Sequence, residues 1–407
     1  MYDAIVVGAR CAGSATALLL ARKGYRVLLV DKAVFPSDTI SGHFILHRGT
    51  VRLKRWGLLD KVLASNCPPI TKWSSNFGDF TLTGQVPLIE DAPSAVGPRR
   101  TVLDNILLEA AVDAGVEVRQ GFAVTDLLWD KACVVGIRGR TKEGSTVTER
   151  AQIVIGADGK HSKIAQLVQA PTYMELPSLT CWYYTYWSNF PCDSIELNWR
   201  PQRVTFTFPT NDGLTMTALG LPHRELHSFR SDIEGNFRNS LHLMTDLAAR
   251  SDQARREERF YAMADVPNFL RKPYGLGWAL IGDAGHHKDP TLAFGMSDAF
   301  CDAELLVDAI HQGLSGEQLL DEALAQYEQK RNARAIPDHE ENYRMAHLEG
   351  WDAPEVLGLR AALRGNEQDT AHFCAIRARA VSPETFFSPE NLQRIMMRQA
   401  TRTPEPA

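Results

Sequence analysis

The stretch from Ile5 to Asp31 constrains the fold of this chain more than any other segment. A short apolar run at 5–7 is followed by Gly8, and the segment from Ala12 to Lys23 is rich in alanine and leucine. A second apolar run follows at 27–30. Short apolar runs separated by a helical segment are typical of buried parallel strands joined by a crossover helix. The stretch therefore predicts a strand–helix–strand unit.

The turn between the first strand and the helix indicates dinucleotide binding. Gly8 and Gly13 occupy the first and last glycine positions of the G-x-G-x-x-G pattern, and Arg10 replaces the middle glycine. Such a turn presents backbone N–H groups and the positive end of a helix dipole to a pyrophosphate. Asp31, 23 positions after Gly8, stands where an acidic side chain binds ribose hydroxyls.

Arg10 leaves two interpretations of this turn open. A middle glycine normally lets the backbone approach the pyrophosphate, so the Arg10 side chain must turn outward, where its charge can also lie near the phosphates. The alternative is a strand–helix turn that binds no nucleotide.

Composition excludes several classes of protein. The chain has 407 residues, of which 44% are apolar and 23% charged, which suggests two or three packed units. A net charge of −5 without a long basic run argues against nucleic acid as a partner. We expect no signal peptide and no membrane span. Seven scattered cysteines without a C-x-x-C pair favour reduced thiols in a cytoplasmic protein.

A second unit has a different character. The segment from Thr180 to Pro191 is dense in aromatic residues, and Asn211-Asp212-Gly213 between two apolar runs predicts a hairpin turn. We therefore expect an antiparallel sheet. Alternate residues of a strand share a face, so Trp182, Tyr184 and Tyr186 would lie together. These rings either face a substrate or fill the core.

Later segments predict mainly helices. The charged segment from Asp246 to Phe260 and the segment from Glu317 to Ala335 have helical composition, and Pro337 follows the second. The tail from Thr401 to Ala407 is of low complexity.

Three separated segments carry a family resemblance: GARCAG at 8–13, GADGKHS at 156–162, and GDAGHHKDP through GMSDA over 282–299. In order and spacing they resemble the three signatures of the FAD-dependent aromatic hydroxylases. This is the para-hydroxybenzoate hydroxylase-like superfamily of group A flavin monooxygenases, with geranylgeranyl reductase and flavin halogenase relatives. The resemblance covers about residues 1–310.

The resemblance implies an α/β fold. A Rossmann-type FAD-binding domain would be accompanied by an antiparallel-sheet substrate domain and C-terminal helices. The expected FAD-binding domain comprises residues 1–70, 98–172 and 275–320. The expected substrate domain comprises residues 71–97 and 173–274, and the C-terminal helices occupy 321–407.

The resemblance also implies cofactor contacts. Arg100 begins an R-x-x-L-D pattern that contacts FAD in the family, and Asp283 matches the carboxylate that accepts hydrogen bonds from the ribityl hydroxyls. Asp158 lies in the segment that folds against the nucleotide, although its Asp-Gly pair also suits a simple turn. The complete expected set is Gly8, Arg10, Cys11, Ala12, Gly13, Asp31, Lys32, Arg100, Val124, Asp158, Gly282, Asp283, Pro290, Gly295 and Met296.

Few side chains are expected to be catalytic, because the cofactor performs the difficult chemistry. The candidates are His43, in a loop that would reach the flavin ring, and Tyr184. A surface-loop histidine is an equal alternative for His43. The substrate candidates are Trp182, Tyr184 and Tyr186.

Cys11, at a helix N-terminus, is either a thiol of lowered pKa or a space-filling side chain. No metal is expected, since the adjacent His286 and His287 cannot share a helix face.

The activity implied by the resemblance is that of a monooxygenase. NADH or NADPH would reduce FAD, and molecular oxygen would form a flavin C4a-hydroperoxide that hydroxylates an aromatic or apolar organic substrate. Three alternatives stay open: a flavin-dependent reductase of isoprenoid double bonds, a flavin halogenase, and a non-enzymatic FAD-binding protein. The W-x-W-x-I-P stretch of halogenases is absent from the sequence.

Overall fold

The computed structural model of this protein describes residues 1–400. The low-complexity tail from Thr401 to Ala407, and with it the end of the expected 321–407 helical region, lies outside the described residues. In chain order the helices are α1 (Cys11–Arg22), α2 (His47–Arg55), α3 (Leu59–Ala64), α4 (Arg100–Asp113), α5 (Lys163–Leu167), α6 (Leu226–Arg230), α7 (Ile233–His242), α8 (Thr245–Gln253), α9 (Gly295–Leu314), α10 (Leu320–Ala346), α11 (Pro354–Ala362), α12 (Glu367–Arg377) and α13 (Pro389–Ala400).

The strands alternate with these helices. They are β1 (Tyr2–Val7), β2 (Val27–Asp31), β3 (Ile45–Leu46), β4 (Pro69–Ile70), β5 (Lys72–Asn76), β6 (Thr81–Gln85), β7 (Ala95–Val96), β8 (Glu117–Gln120), β9 (Ala123–Asp130), β10 (Cys133–Arg140), β11 (Thr146–Gly156), β12 (Thr172–Leu176), β13 (Thr180–Ser188), β14 (Ile195–Arg200), β15 (Arg203–Pro209), β16 (Thr215–Pro222), β17 (Arg255–Arg256), β18 (Tyr261–Met263), β19 (Asn268–Arg271), β20 (Tyr274–Gly275), β21 (Trp278–Leu280) and β22 (His286–His287).

The first sheet contains the predicted strand–helix–strand unit. Strands β21, β11, β1, β2 and β8 pair in parallel in that order. Apolar side chains cover both faces, as a buried parallel sheet requires. One face packs against α1, α4 and α9, and the other against the β9–β10 hairpin and α5. The carboxyl ends of the parallel strands are thereby left to form a ligand site.

The second sheet has the order β17-β13-β16-β15-β14-β5-β6. Its pairs are antiparallel except β14 with β5, where Ile195 lies opposite Trp73 in parallel register. The sequence predicts an antiparallel sheet, and the structure differs from that prediction at this one parallel pair. The β5–β6 hairpin comes from a distant part of the chain, so no short turn forces it to run antiparallel to β14.

The aromatic strand β13 alternates as predicted. Trp182, Tyr184 and Tyr186 lie in one apolar cluster, which includes side chains of α11 and α12. Tyr183 and Trp187 lie in another, with side chains of α7. The second sheet is therefore buried on both faces at β13, whereas its edge strand β6 alternates between buried and exposed residues.

Two helix boundaries differ from the sequence prediction. Helix α8 ends at Gln253, and Arg255–Arg256 instead pairs with the edge of β13, because that edge offers free backbone partners to an extended segment. Helix α10 continues through Pro337 to Ala346. A proline inside a helix removes one backbone hydrogen bond, and here the burial of Ala335, His339 and other side chains offsets that loss. No helix among residues 1–400 is both long and apolar enough to cross a membrane.

Candidate active site

A cavity of about 810 Å³ lies at the carboxyl ends of the parallel strands. One end, here called the nucleotide end, is formed by the turn after β1 and the residues after β2. The other end, here called the far end, is formed by three segments at 39–44, 262–266 and 286–290, of which the second begins in β18 and the third in β22. The cavity wall includes most of the expected cofactor contacts, namely Gly8, Arg10, Cys11, Ala12, Asp31, Lys32, Arg100, Val124, Asp158, Gly282, Asp283, Pro290, Gly295 and Met296.

Close backbone contacts explain the two glycines of the turn. Gly8 has a φ of +106°, and a Cβ there would lie 2.4 Å from the carbonyl oxygen of Ala157. A Cβ on Gly13 would lie 1.8 Å from the carbonyl oxygen of Gly8. Gly13 lies behind the cavity wall, and its direct contact with a cofactor stays a prediction. Its function is to let α1 pack against the turn.

Asp31 joins the turn to the end of β2. Its Oδ2 accepts a hydrogen bond of 2.7 Å from the backbone N–H of Ala9, and its Oδ1 accepts one of 2.7 Å from that of Ala33. A carboxylate oxygen can accept two hydrogen bonds, so each oxygen retains capacity for a ligand hydroxyl. This geometry suits the expected ribose contact.

The Arg10 side chain is directed toward Asp104. Its Nη1 donates to Asp104 Oδ2 at 2.7 Å and to the carbonyl of Ser37 at 3.1 Å. The fully buried Asp104 also accepts from Arg100 Nε and Nη2, at 3.1 and 3.0 Å, and from Cys11 Sγ at 3.3 Å. Asp104 was missed as a site residue. Its position four residues after Arg100 could have indicated this role, because that spacing places both side chains on one helix face.

Cys11 is a space-filling residue. Burial raises the pKa of its thiol, and the nearby Arg100 guanidinium only partly opposes this effect. The possibility of a thiol with a lowered pKa at the helix N-terminus is therefore wrong, because desolvation outweighs the helix dipole.

Two carboxylates at the cavity differ in whether they already accept hydrogen bonds from the protein. Asp158 accepts hydrogen bonds from the Ser162 hydroxyl and from the backbone N–H of Lys163, the latter at 2.7 Å, so it anchors the start of α5. Burial raises its pKa, against the effect of these bonds. Asp283 is exposed in the cavity and accepts no hydrogen bond from residues 1–400. Asp283 is therefore the carboxylate that is available to a ligand.

The loop before α9 combines an open helix N-terminus with a buried ion pair. A Cβ on Gly295 would meet no atom of residues 1–400 within 4 Å, so the first turn of α9 faces open space in the described part of the chain. The first N–H groups of a helix lack intrahelical acceptors and favour negative charge. Lys288 forms an ion pair with Asp298, and both are buried. Burial alone would raise the pKa of Asp298, but the charges of Lys288 and Arg334 hold it below its usual value.

Asp289 connects this loop to three other parts of the structure. Its carboxylate accepts from the Thr180 hydroxyl and from Trp182 Nε1, the latter at 3.3 Å. Its N–H donates to Asn268 at 2.8 Å, and its carbonyl accepts from Asn342 Nδ2 at 2.8 Å. The loop is thus bonded to β13, β19 and α10. Lys288 and Asp289 were both missed by the sequence analysis, although the charged pair inside the GDAGHHKDP signature marks them.

The aromatic residues of β13 lie behind the cavity wall. Trp182, Tyr184 and Tyr186 are buried and do not line the cavity, so of the two roles expected for these rings the structure favours filling the core over direct substrate contact. Each instead bonds a loop residue that does: Trp182 bonds Asp289, the Tyr184 hydroxyl accepts from the Ser41 N–H at 3.3 Å, and Tyr186 bonds His43. The loops lie between β13 and the cavity, so the rings position the wall. Tyr184 is therefore not placed as a catalytic group.

His43 is buried in the cavity wall, so the surface-loop interpretation is wrong. Its Nδ1 lies 3.2 Å from the Gly97 carbonyl oxygen, which can only accept, so Nδ1 carries the proton. Its Nε2 then accepts from the Tyr186 hydroxyl at 2.8 Å. Burial, with the charges of Arg99 and Arg100, lowers the pKa of His43 to about 3. His43 is consequently neutral at physiological pH.

No group of three histidine, cysteine or acidic side chains within residues 1–400 is arranged to hold a metal ion. His286 instead contacts His339, with Nε2 and Nδ1 separated by 3.2 Å.

The glycine turn, the Asp31 carboxylate at the end of β2, the available Asp283 carboxylate and the open N-terminus of α9 fit an extended dinucleotide such as FAD. In agreement, residues 1–337 match a family model described as "FAD binding domain". The chain belongs to the FAD-binding domain family. The expected superfamily and fold class are thereby confirmed, and the protein is an FAD-dependent enzyme.

Three similar proteins place this FAD-binding protein among flavoenzymes. The chain is 25% identical over 363 residues to the digeranylgeranylglycerophospholipid reductase of Methanocella arvoryzae, covering 85% of this chain and 87% of the relative. It is 33% identical over 198 residues to the monooxygenase cfoF of Aspergillus candidus, covering 44% and 47%. Its fold matches the myxobacterial FAD-dependent halogenase CndH, with a TM-score of 0.78, 21% identity and coverage of 98% and 97%.

Proposed function

We propose that this FAD-dependent oxidoreductase is a monooxygenase that uses NADH or NADPH and molecular oxygen to hydroxylate an aromatic or apolar organic substrate. The observation that carries the proposal is the far end of the cavity. Its wall contains the apolar side chains of Phe44, Met263 and Val266 with the neutral His43, and the charged Lys288 beside them is ion-paired with Asp298. Oxygen chemistry on a reduced flavin requires a compartment with little access to water, because water diverts the oxygen to hydrogen peroxide.

The residues of this chain would hold and shield the cofactor. Asp31 would bind the adenosine ribose, and Asp283 would accept hydrogen bonds from the ribityl hydroxyls. The N-terminus of α9 would face negative charge on the flavin ring. His43, held by Gly97 and Tyr186, would keep the adjoining wall uncharged. Bound FAD would supply the electron transfer and the oxygen chemistry.

The first experiment tests the cofactor and the use of oxygen. Denaturation of the purified protein should release one FAD per chain and no FMN. A panel of aromatic compounds should then be screened for those that stimulate NADH or NADPH oxidation, with oxygen consumed in equal amount to the hydroxylated product. Equal product formation under strict anaerobiosis would contradict the monooxygenase proposal.

A reductase of isoprenoid double bonds is the second candidate. It is favoured by the similarity to the archaeal reductase over most of the chain. The apolar side chains of Phe44, Met263 and Val266 at the far end also suit an isoprenoid, and such a reaction needs no oxygen. Anaerobic turnover of a geranylgeranyl compound, with hydrogens added across a double bond, would support this candidate. The third candidate is a halogenase. It is tested by repeating the screen of aromatic compounds in air with added bromide and looking for brominated product.

A further inference from the structure

A second pocket, of about 340 Å³, lies beside a different face of α9 from the flavin cavity. Two residues from each of three helices line it. They are Arg48 and Arg52 of α2, Cys301 and Leu305 of α9, and Lys330 and Arg334 of α10. Since Gly295, Met296 and Asp298 of α9 line the flavin cavity, this helix separates the two sites.

Four of these six side chains are cationic, and no carboxylate belongs to the described lining. Three of the cations pair with acids that lie outside the pocket wall: Arg48 with Asp338 at 2.6 Å, Arg52 with Glu304 at 2.8 Å, and Arg334 with Asp302 at 2.7 Å. The exposed Lys330 has no ion-pair partner within residues 1–400. The pocket therefore has an excess of positive charge.

Arg334 also has unused hydrogen-bond donors. Its Nη2 donates to Asp302, and its Nη1 lies 3.8 Å from Asp298 Oδ1, which is beyond hydrogen-bond distance. Its buried Nε and Nη1 therefore donate to no hydrogen-bond acceptor among the described residues. A buried donor without an acceptor costs free energy, and an anion in the pocket could provide the missing acceptor. Guanidinium groups bind tetrahedral oxyanions through paired N–H donors, and a lysine adds a point charge.

We propose that this pocket binds a phosphate-class oxyanion, either as a free ion or as part of a larger phosphorylated ligand. Arg48, Arg52 and Arg334 supply directed donors from two helices, and Lys330 supplies the unpaired charge. Cys301 and Leu305 form the uncharged wall. The site is separate from the FAD contacts and does not depend on the reaction class proposed above.

Isothermal titration of the FAD-loaded protein with inorganic phosphate tests the proposal, with chloride of matched ionic strength as the reference. We expect saturable binding of phosphate and pyrophosphate. Lys330→Gln should weaken it about tenfold, because one charge-assisted contact is lost. Arg48→Gln should have a similar effect, and Asp338 keeps Arg379 as a partner at 3.2 Å, so this variant is expected to fold.

The matched control is Lys54→Gln, on the same helix as Arg48 but outside the pocket lining. It should bind phosphate as the unmodified protein does. The absence of phosphate binding above the chloride reference, or equal affinity in all three variants, would overturn the proposal. Retained flavin absorbance in each variant keeps this result independent of the FAD site.

Weakened binding of NADPH but not NADH in Lys330→Gln would identify the phosphate as that of a nucleotide. An effect confined to phosphate and pyrophosphate would identify a free ion.

Discussion

The two ends of the flavin cavity are built in different ways. At the nucleotide end, the wall comes mainly from short segments around Gly8 and Asp31, and backbone groups and close glycine contacts determine its shape. At the far end, the wall comes from three segments that are widely separated in the chain. The 39–44 and 286–290 segments are held from behind by rings of β13, and the third pairs with β13 through its backbone. A site made from backbone geometry leaves a contiguous sequence signature, whereas a site assembled from distant side chains does not.

The largest expected effect follows from adding a methyl group at the nucleotide end. Gly13→Ala would place a Cβ 1.8 Å from the Gly8 carbonyl oxygen, so the turn must shift. We expect loss of nearly all bound FAD and destabilisation of about 1–3 kcal/mol or more. Gly295→Ala is the control at the other helix N-terminus, since its Cβ meets no protein atom and should leave thermal stability intact. Flavin content and circular-dichroism melting measure both effects. Normal FAD content in Gly13→Ala would show that the turn is not rigid.

The next comparison is between the two carboxylates. Asp283→Ala should weaken FAD binding by roughly ten- to a hundredfold, because a charge-assisted hydrogen bond contributes roughly 1.5–3 kcal/mol. Asp158→Ala should leave FAD affinity nearly unchanged but destabilise the protein by about 0.5–2 kcal/mol, as expected when a helix start loses its cap. Flavin fluorescence titration and urea unfolding separate the outcomes. An unchanged dissociation constant in Asp283→Ala would remove Asp283 from the site.

Acid should destabilise the far end through His43. Its pKa is about 3 in the folded protein and 6.5 in an ordinary environment, so between these values the unfolded chain binds a proton that the folded chain does not. Stability therefore falls as the pH is lowered through this window, by about 1.4 kcal/mol per pH unit for this group. Urea unfolding of His43→Gln between pH 6 and pH 4 should show a correspondingly shallower dependence.

The control for this titration is His227→Gln, which changes an exposed histidine on α6. It should reproduce the pH dependence of the unmodified protein. If His43→Gln also reproduces that dependence, His43 does not titrate as a buried neutral group.

The smallest expected effect is at Arg10. Its side chain contacts Asp104 and the 37–38 loop, so Arg10→Gly should keep FAD with a dissociation constant within about threefold of the original. Asp104 retains Arg100 as a partner. Complete loss of flavin with an intact circular-dichroism spectrum would instead identify Arg10 as a phosphate ligand, and would make a side chain essential at the nucleotide end.

The sequence could predict those parts of the molecule whose signals are local. Strand β1, helix α1 and strand β2 follow from apolar runs and glycine positions, and the Asn211-Asp212-Gly213 turn joins β15 to β16 as expected. The alternation of rings on β13 was also predictable from strand geometry. These features depend on neighbours within a few residues.

The remaining features depend on contacts between distant segments. No local pattern shows that the 39–44 and 288–290 loops lie between β13 and the cavity, so the sequence could not decide whether the rings face a substrate or fill the core. The continuation of α10 through Pro337 depends on burial against other elements. Likewise, the pairing of Lys288 with Asp298 is visible only after the loop has folded onto α9.

The position of Asp289 has a consequence for how this enzyme can diversify. Replacement of the Asp289 carboxylate would remove its bonds to Thr180 and Trp182 of β13, whereas the bonds of its backbone N–H and carbonyl to β19 and α10 would remain. Changes at Asp289 are therefore expected to be rare among close relatives and poorly tolerated in engineered libraries. Ala262, Met263 and Ala264 also line the far end, and their side chains hold no other element by a hydrogen bond among residues 1–400. New substrate ranges should therefore arise first by variation at these three positions, while Asp289 stays constant.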